Sequence, residues 1–146
     1  MSRVIEFRGR DIDNGEWRYG HYMIVASPPQ CVGKLPDKHM IVFTQFCDWG
    51  FNPNVQSEID PKTRGQFTGL QDKNGKDIYE GDITSMVYSD DSGTRKPQIR
   101  AVEWSEHIDG DRYYSAGYNL ADAFGPEDIE VIGNIHETPE LLEATT

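Results

Sequence analysis

Three residues of metal-ligating type, Cys31, His39 and Cys47, stand at even eight-residue steps in this chain. A structural zinc site needs four ligands, with at least two of them close together in sequence. The trio meets neither condition and reads as three unrelated side chains. A second cluster, His107, Asp109, Asp111 and His136, has three members around one Asp-Gly turn and reads as a solvated acidic turn. Asp72-Lys73-Asn74-Gly75-Lys76-Asp77 resembles part of a calcium loop, in which ligands occupy positions 1, 3 and 5 and Gly occupies position 6. Here Gly75 falls at position 4 and Lys76 at a ligand position. The stretch is therefore expected to be a hairpin turn, of type I′ over Asn74-Gly75.

Gly65, Gly69, Gly75 and Gly81 follow neither common phosphate-binding spacing, and no helix is expected after them to present its N-terminal amides. Nucleophilic catalysis needs an activated side chain beside a base, and no nucleophile-elbow sequence surrounds the serines. A carboxylate pair carries no information where acidic residues are this abundant. The expectation is a protein that is not an enzyme, with no catalytic residue, no metal and no cofactor.

The charge of the 146-residue chain is divided unevenly, with a formal net value of −11. Residues 1–70 carry eight basic and eight acidic side chains, whereas residues 71–146 carry six basic and 17 acidic ones. Such a surface serves solubility, and it also marks Asp90, Asp91, Asp109 and Asp111 as a candidate interaction surface. Trp17, Tyr19, Tyr22, Trp49, Phe51, Trp104, Tyr113, Tyr114 and Tyr118 could stack bases, but a nucleic-acid groove also needs cations along the phosphates. Arg8, Arg10 and Arg18 are expected on one face of a hairpin, diluted by Glu6, Asp11 and Glu16. Nucleic acid is thus an improbable partner. No apolar run is long enough to span a bilayer, and no signal-peptide core follows Met1, so no membrane association is expected. Two cysteines fit a reduced cytoplasmic setting.

The elements that must position these residues are short alternating runs punctuated by Gly, Pro, Asn and Asp, the pattern of a β-rich fold. Val4–Arg10 and Trp17–Val25 form a hairpin around Asn14-Gly15, ended by Pro28-Pro29. Residues 28–38 read as a loop, His39–Phe46 as a strand, and Asp48–Glu58 as irregular around Asn52-Pro53-Asn54. Asp60–Gly65 is a turn and the candidate boundary between halves. Beyond it, strands are expected over Thr84–Tyr88, Gln98–Trp104 and Glu130–Ile135, with a loop over Ser89–Pro97. Asp109-Gly110 turns the chain toward Arg112–Ser115. Thr138 is placed to cap a short helix, with Pro139 at its first position and Glu140 at the positive end of its dipole. The class is mostly β: short antiparallel strands in a partly open barrel or sandwich, with a short C-terminal helix.

The segment Gly65–Ile83, GQFTGLQDKNGKDIYEGDI, resembles the hallmark of the YopX-like family of phage and prophage proteins. So do Phe7-Arg8-Gly9, Gly15–Gly20, Val102-Glu103-Trp104 and Val131–Leu142. The resemblance implies a β fold whose second half is similar to a small SH3-like barrel, dividing the chain into 1–64, 65–137 and a helical tail 138–146. It also implies a bacterial host cytoplasm, and it carries over no catalytic or ligand residue. The function expected is contact with a protein partner or with itself, as a homo-oligomer. The alternatives are an acidic mimic of DNA that occupies a basic host protein, and a nucleic-acid-binding small barrel.

Overall fold

Alternation with period two, broken by Gly and Pro, makes this chain a succession of strands. The computed structural model describes residues 4–30, 33–89, 92–109, 113–118 and 129–143. The fold is mostly β, 61% strand, with antiparallel pairing, one short helix and no closed barrel among the described residues. The chain divides into two compact units, Met1–Phe67 and Thr68–Thr146.

In the first unit, β1 (Phe7–Arg10), β2 (Trp17–Val25), β3 (Pro29–Gln30), β4 (Gly33–Lys34), β5 (Lys38–Cys47) and β6 (Gly50–Glu58) are followed by a single 3-10 turn, Pro61–Thr63. β7 (Gly65–Gln71) begins here, and its Gly65 and Gln66 pair with β1. The order across the sheet is β6-β5-β2-β1, then β7. Ile41 and Ile59 are its buried centre, and Gly9 allows β1 to lie directly against Ile59. The Asp11 carboxylate ties this sheet together. It accepts hydrogen bonds from the Ser57 hydroxyl (2.6 Å), the Asp13 N–H (2.8 Å) and Arg18 Nε (3.3 Å). The Ser57 hydrogen bond, ahead of the others, holds its pKa below the ordinary aspartate value.

Three expectations change in this unit. Residues 50–58 form a full strand despite Asn52-Pro53-Asn54, because β6 is the edge of the sheet, where a proline's missing N–H deprives no neighbour. The interval 28–38 holds two short paired strands, β3 and β4, in place of a plain loop. Arg8 and Arg10 pair with Tyr19 and Trp17 and share their face, whereas Arg18 pairs with Gly9 and lies on the opposite face.

In the second unit, β8 (Asp77–Tyr79) lies beside β7. β9 (Asp82–Ser89), β10 (Arg95–Ala101), β11 (Trp104–Asp109), β12 (Tyr113–Tyr118), β13 (Ile129–Asn134) and α1 (Glu140–Glu143) follow. The sheet order is β10-β9-β13, with β11 and β12 as a separate hairpin. β9 is central and buried on both faces, through Asp82, Ile83, Thr84 and Met86. Ile78, Met86, Val102 and Ile129 form the core, with Val131 packed on it. The strand expected over Gln98–Trp104 is divided at Val102-Glu103, since Trp104 opens the next hairpin. Pro97 is accommodated because β10, too, is an edge. The Thr138 hydroxyl does not cap α1: it accepts from the Asn134 N–H (3.1 Å) and donates to the Asn134 carbonyl (3.2 Å).

The Asn74-Gly75 turn departs from type I′, which requires positive φ at both central residues. Gly15 (φ 72°) and Gly75 (φ 79°) have it, but Asn14 and Asn74 do not. The Asn side-chain preference is overridden at the second turn by the buried Asp72. Its Oδ1 accepts from the N–H groups of Asn74 (2.8 Å) and Lys76 (2.9 Å), and its Oδ2 from that of Val131 in β13 (3.0 Å). Burial pushes the Asp72 pKa up, but the Val131, Lys76 and Asn74 N–H groups and the Lys76 charge outweigh it and hold the pKa below its ordinary value.

Asp72→Asn places an amide donor against a backbone donor, and should cost ~2 kcal/mol at neutral pH. Because the folded pKa is depressed, the wild-type advantage is present above the unfolded aspartate value, about 4, and is lost as pH falls through the folded one. Urea unfolding of both proteins at neutral and acidic pH should show the gap closing on acidification. A gap that stays constant would disprove the carboxylate's role.

Candidate interaction surface

β5 and β6 continue as a hairpin arm past the point where β2 stops pairing with them. β2 pairs with Lys38–Val42, whereas the β5–β6 register runs on to Phe46↔Phe51 and Cys47↔Gly50. At the tip Phe46 is 79% exposed, Phe51 67% and Trp49 97%. Residues opposite one another in an antiparallel pair share a face, which sets the Phe46 and Phe51 rings 6.2 Å apart. Between His39 and Ser57 the only formal charge is Asp48. An exposed aromatic cluster with almost no charge is the composition of a contact surface.

A cleft opens at the base of the arm, with Gly20 in its lining. Trp17–Gly20 pair with β1, and His21–Val25 with β5, so β2 changes neighbour at the glycine. A Cβ at Gly20 would lie 2.2 Å from the Val42 carbonyl oxygen. Only glycine permits that approach, after which β5 diverges from β2. On the other flank of β5 the register shifts between Phe43 and Gln45, leaving Pro53-Asn54 opposite Thr44 as a bulge. The cleft of about 610 Å³ at this point is lined by Trp17, Tyr19, Phe43 and Pro53 together with the polar Glu6, Arg18, His21, Thr44 and Asn54. The Arg18 guanidinium lies 5.3 Å over the Phe43 ring and is held by Asp11 and Glu16, each at 3.3 Å.

The residues singled out by type are mostly elsewhere. Asp90, Asp91 and Asp111 lie outside the described residues, as does Cys31. Asp109 ends β11 opposite Tyr113, and its side chain and that of His107 also lie outside the description. His39 and Cys47 share the extended strand β5, about 26 Å apart at strand rise, too far for one ion. His39 Nδ1 is instead hydrogen-bonded to the Tyr22 hydroxyl, which accepts from Arg64 Nη1 at 3.0 Å. Among the described residues no group of three or more His, Cys, Asp or Glu side chains is gathered to hold a metal. Nor, among them, is any helix long and apolar enough to cross a membrane. Of the aromatic set, Trp17 lies under Arg8 (4.7 Å) and Tyr22 packs against Phe7, while Trp49 and Phe51 are exposed at the arm tip. Asn52-Pro53-Asn54 masks the arm in the sequence, and Phe46 and Phe51 flanking Asp48-Trp49-Gly50 are its hairpin signal.

Gly20→Ala should force β2 and β5 apart at the cleft floor and destabilise the protein by ~2 kcal/mol. Thermal unfolding checks this, and an unchanged midpoint would contradict the close approach.

The family described as YopX protein matches residues 6–143. No curated protein matches the chain. The fold is similar to the crystal structure of protein EF1440 from Enterococcus faecalis, with a TM-score of 0.48 and 22% identity, covering 97% of this chain and 99% of that one. Because the family match runs from just before β1 to the last residue of α1, it takes in both the arm and the Asp72 turn, and the chain belongs to the YopX protein family.

Proposed function

We propose that this phage- or prophage-encoded protein is non-enzymatic and acts in the bacterial cytoplasm through protein–protein contacts, with the β5–β6 arm as its contact surface. The observation that carries this reading is the exposure of Phe46, Trp49 and Phe51 together at one tip. Aromatic side chains of this kind are the usual anchors of interfaces. With Asp48 as its one formal charge, the arm suits a hydrophobic rather than a salt-steered contact.

The acidity of residues 71–146 favours a second reading, a charge mimic of DNA that occupies a basic host protein. Asp72 and Asp82 are buried, so the displayed charge is smaller than the residue count. Replacing Asp90, Asp91, Asp109 and Asp111 by Asn should then abolish salt-sensitive capture of a basic DNA-binding protein. Capture that ignores salt would end this reading.

For the first reading, a photo-reactive phenylalanine analogue at position 49 should give protein adducts in producing cells. The same analogue at the exposed Lys62 position should not. Phe46→Ser with Phe51→Ser should reduce the adducts several-fold while the fold persists. Equal yields from positions 49 and 62 would overturn the assignment of the arm.

A further inference from the structure

The same dipeptide stands at two reversals of this chain, Asn14-Gly15 between β1 and β2 and Asn74-Gly75 between β7 and β8. Both asparagines are exposed. An asparagine before a glycine can cyclise on its own main chain, because the glycine has no side chain to keep its nitrogen from the asparagine Cγ. Whether it does so depends on how the surrounding bonds hold that nitrogen and the side-chain amide relative to each other.

In both turns the glycine N–H donates to a carbonyl, that of Gly15 to Asp11 (2.9 Å) and that of Gly75 to Asp72 (3.0 Å). The turns differ one residue further on. At the first, the Glu16 N–H donates to Asn14 Oδ1 (2.9 Å). The hydrogen-bonded ring so closed contains both the Asn14 Cγ and the Gly15 nitrogen and turns the one toward the other, while the bond draws electron density from the amide carbonyl. At the second, the equivalent N–H, of Lys76, donates to the buried Asp72 carboxylate (2.9 Å), as does that of Asn74 (2.8 Å). The Asn74 amide is denied its anchor beside Gly75, and the main chain on both sides of it is clamped to a carboxylate that also binds β13.

We propose that Asn14-Gly15 is a self-modification site, and that the identical pair at Asn74-Gly75 is spared because Asp72 takes the Lys76 N–H. The Gly15 nitrogen gives up its proton and attacks the Asn14 Cγ. The N–Cγ bond forms as the Cγ–Nδ2 bond breaks, and Nδ2 leaves as ammonia with that proton. Water then opens the five-membered imide: addition at the former main-chain carbonyl leaves isoaspartate, and addition at Cγ leaves aspartate. Either product puts a carboxylate where a neutral amide stood. Asn14 Nδ2 lies 3.5 Å from the Glu16 carboxylate, which holds Arg18 at 3.3 Å. The new anion repels Glu16. Isoaspartate also adds a methylene to the main chain between Asp11 and Glu16, whose N–H and carbonyl pair at 2.8 Å to close the hairpin. Modification thus loosens Arg18, a residue of the cleft lining.

Folded protein kept at mildly alkaline pH, sampled over weeks and analysed by peptide mass spectrometry, should convert Asn14 at least about tenfold faster than Asn74. In concentrated urea the two rates should come together, since both sites share the reactive pair. The modified fraction, separated by its extra charge, should unfold at a lower temperature than the unmodified one. Equal rates in the folded protein, a faster Asn74, or a difference that survives in urea overturns the assignment. Identical unfolding midpoints overturn the effect on the hairpin.

Discussion

A buried carboxylate held by backbone N–H groups is the interaction on which the second unit depends. Asp72 ties the reversal between β7 and β8 to β13, joining segments 59 residues apart through one side chain. Related bonds recur at other reversals. Asp82 accepts from the Tyr79 N–H, and the Asn134 side-chain oxygen accepts from the N–H groups of His136 and Glu137. Short strands leave many turn amides unpaired, and a buried amide without a partner is costly. Aspartate supplies two acceptor oxygens in a small volume, which explains why these acids are buried in a protein with so little apolar core.

This division of labour changes the meaning of the chain's acidity. Part of this acidity is structural: Asp72 and Asp82, two of the 17 acidic residues in 71–146, are enclosed by the fold. The hallmark segment Gly65–Ile83 contains both, along with buried Phe67, Thr68, Ile78, Tyr79 and Ile83. The residues that carry the family resemblance are therefore residues that build the fold. They say little about what the protein touches.

The first unit distributes its resources differently. Its buried centre is small, and its aromatic residues are partly committed to cation–π contacts, Arg8 over Trp17 and Arg64 over Tyr22. Phe46, Trp49 and Phe51, at the end of the arm, stay exposed and contribute nothing to that core. Gly20 stands where the cleft and the arm meet: β2 lies close to Val42 there, and the β2–β5 pairing ends. The change of partner along β2, at a residue without a side chain, coincides with both the cleft and the start of the arm.

The sequence alone determined the β-rich class, the places where the chain reverses and the family, because all three are written in local alternation, in Gly, Pro, Asn and Asp, and in contiguous words such as Gly65–Ile83. Local signals mislead on β6 and on the Asn74-Gly75 turn type, since Pro53 is tolerated only by virtue of an edge position and Asn74 is governed by Asp72. Which arginines share a face, where β2 exchanges β1 for β5, and which aromatics stay outside the core were decided by tertiary structure. Those properties depend on the register between strands distant in the chain, and register is fixed by what each face buries rather than by any residue's own preference.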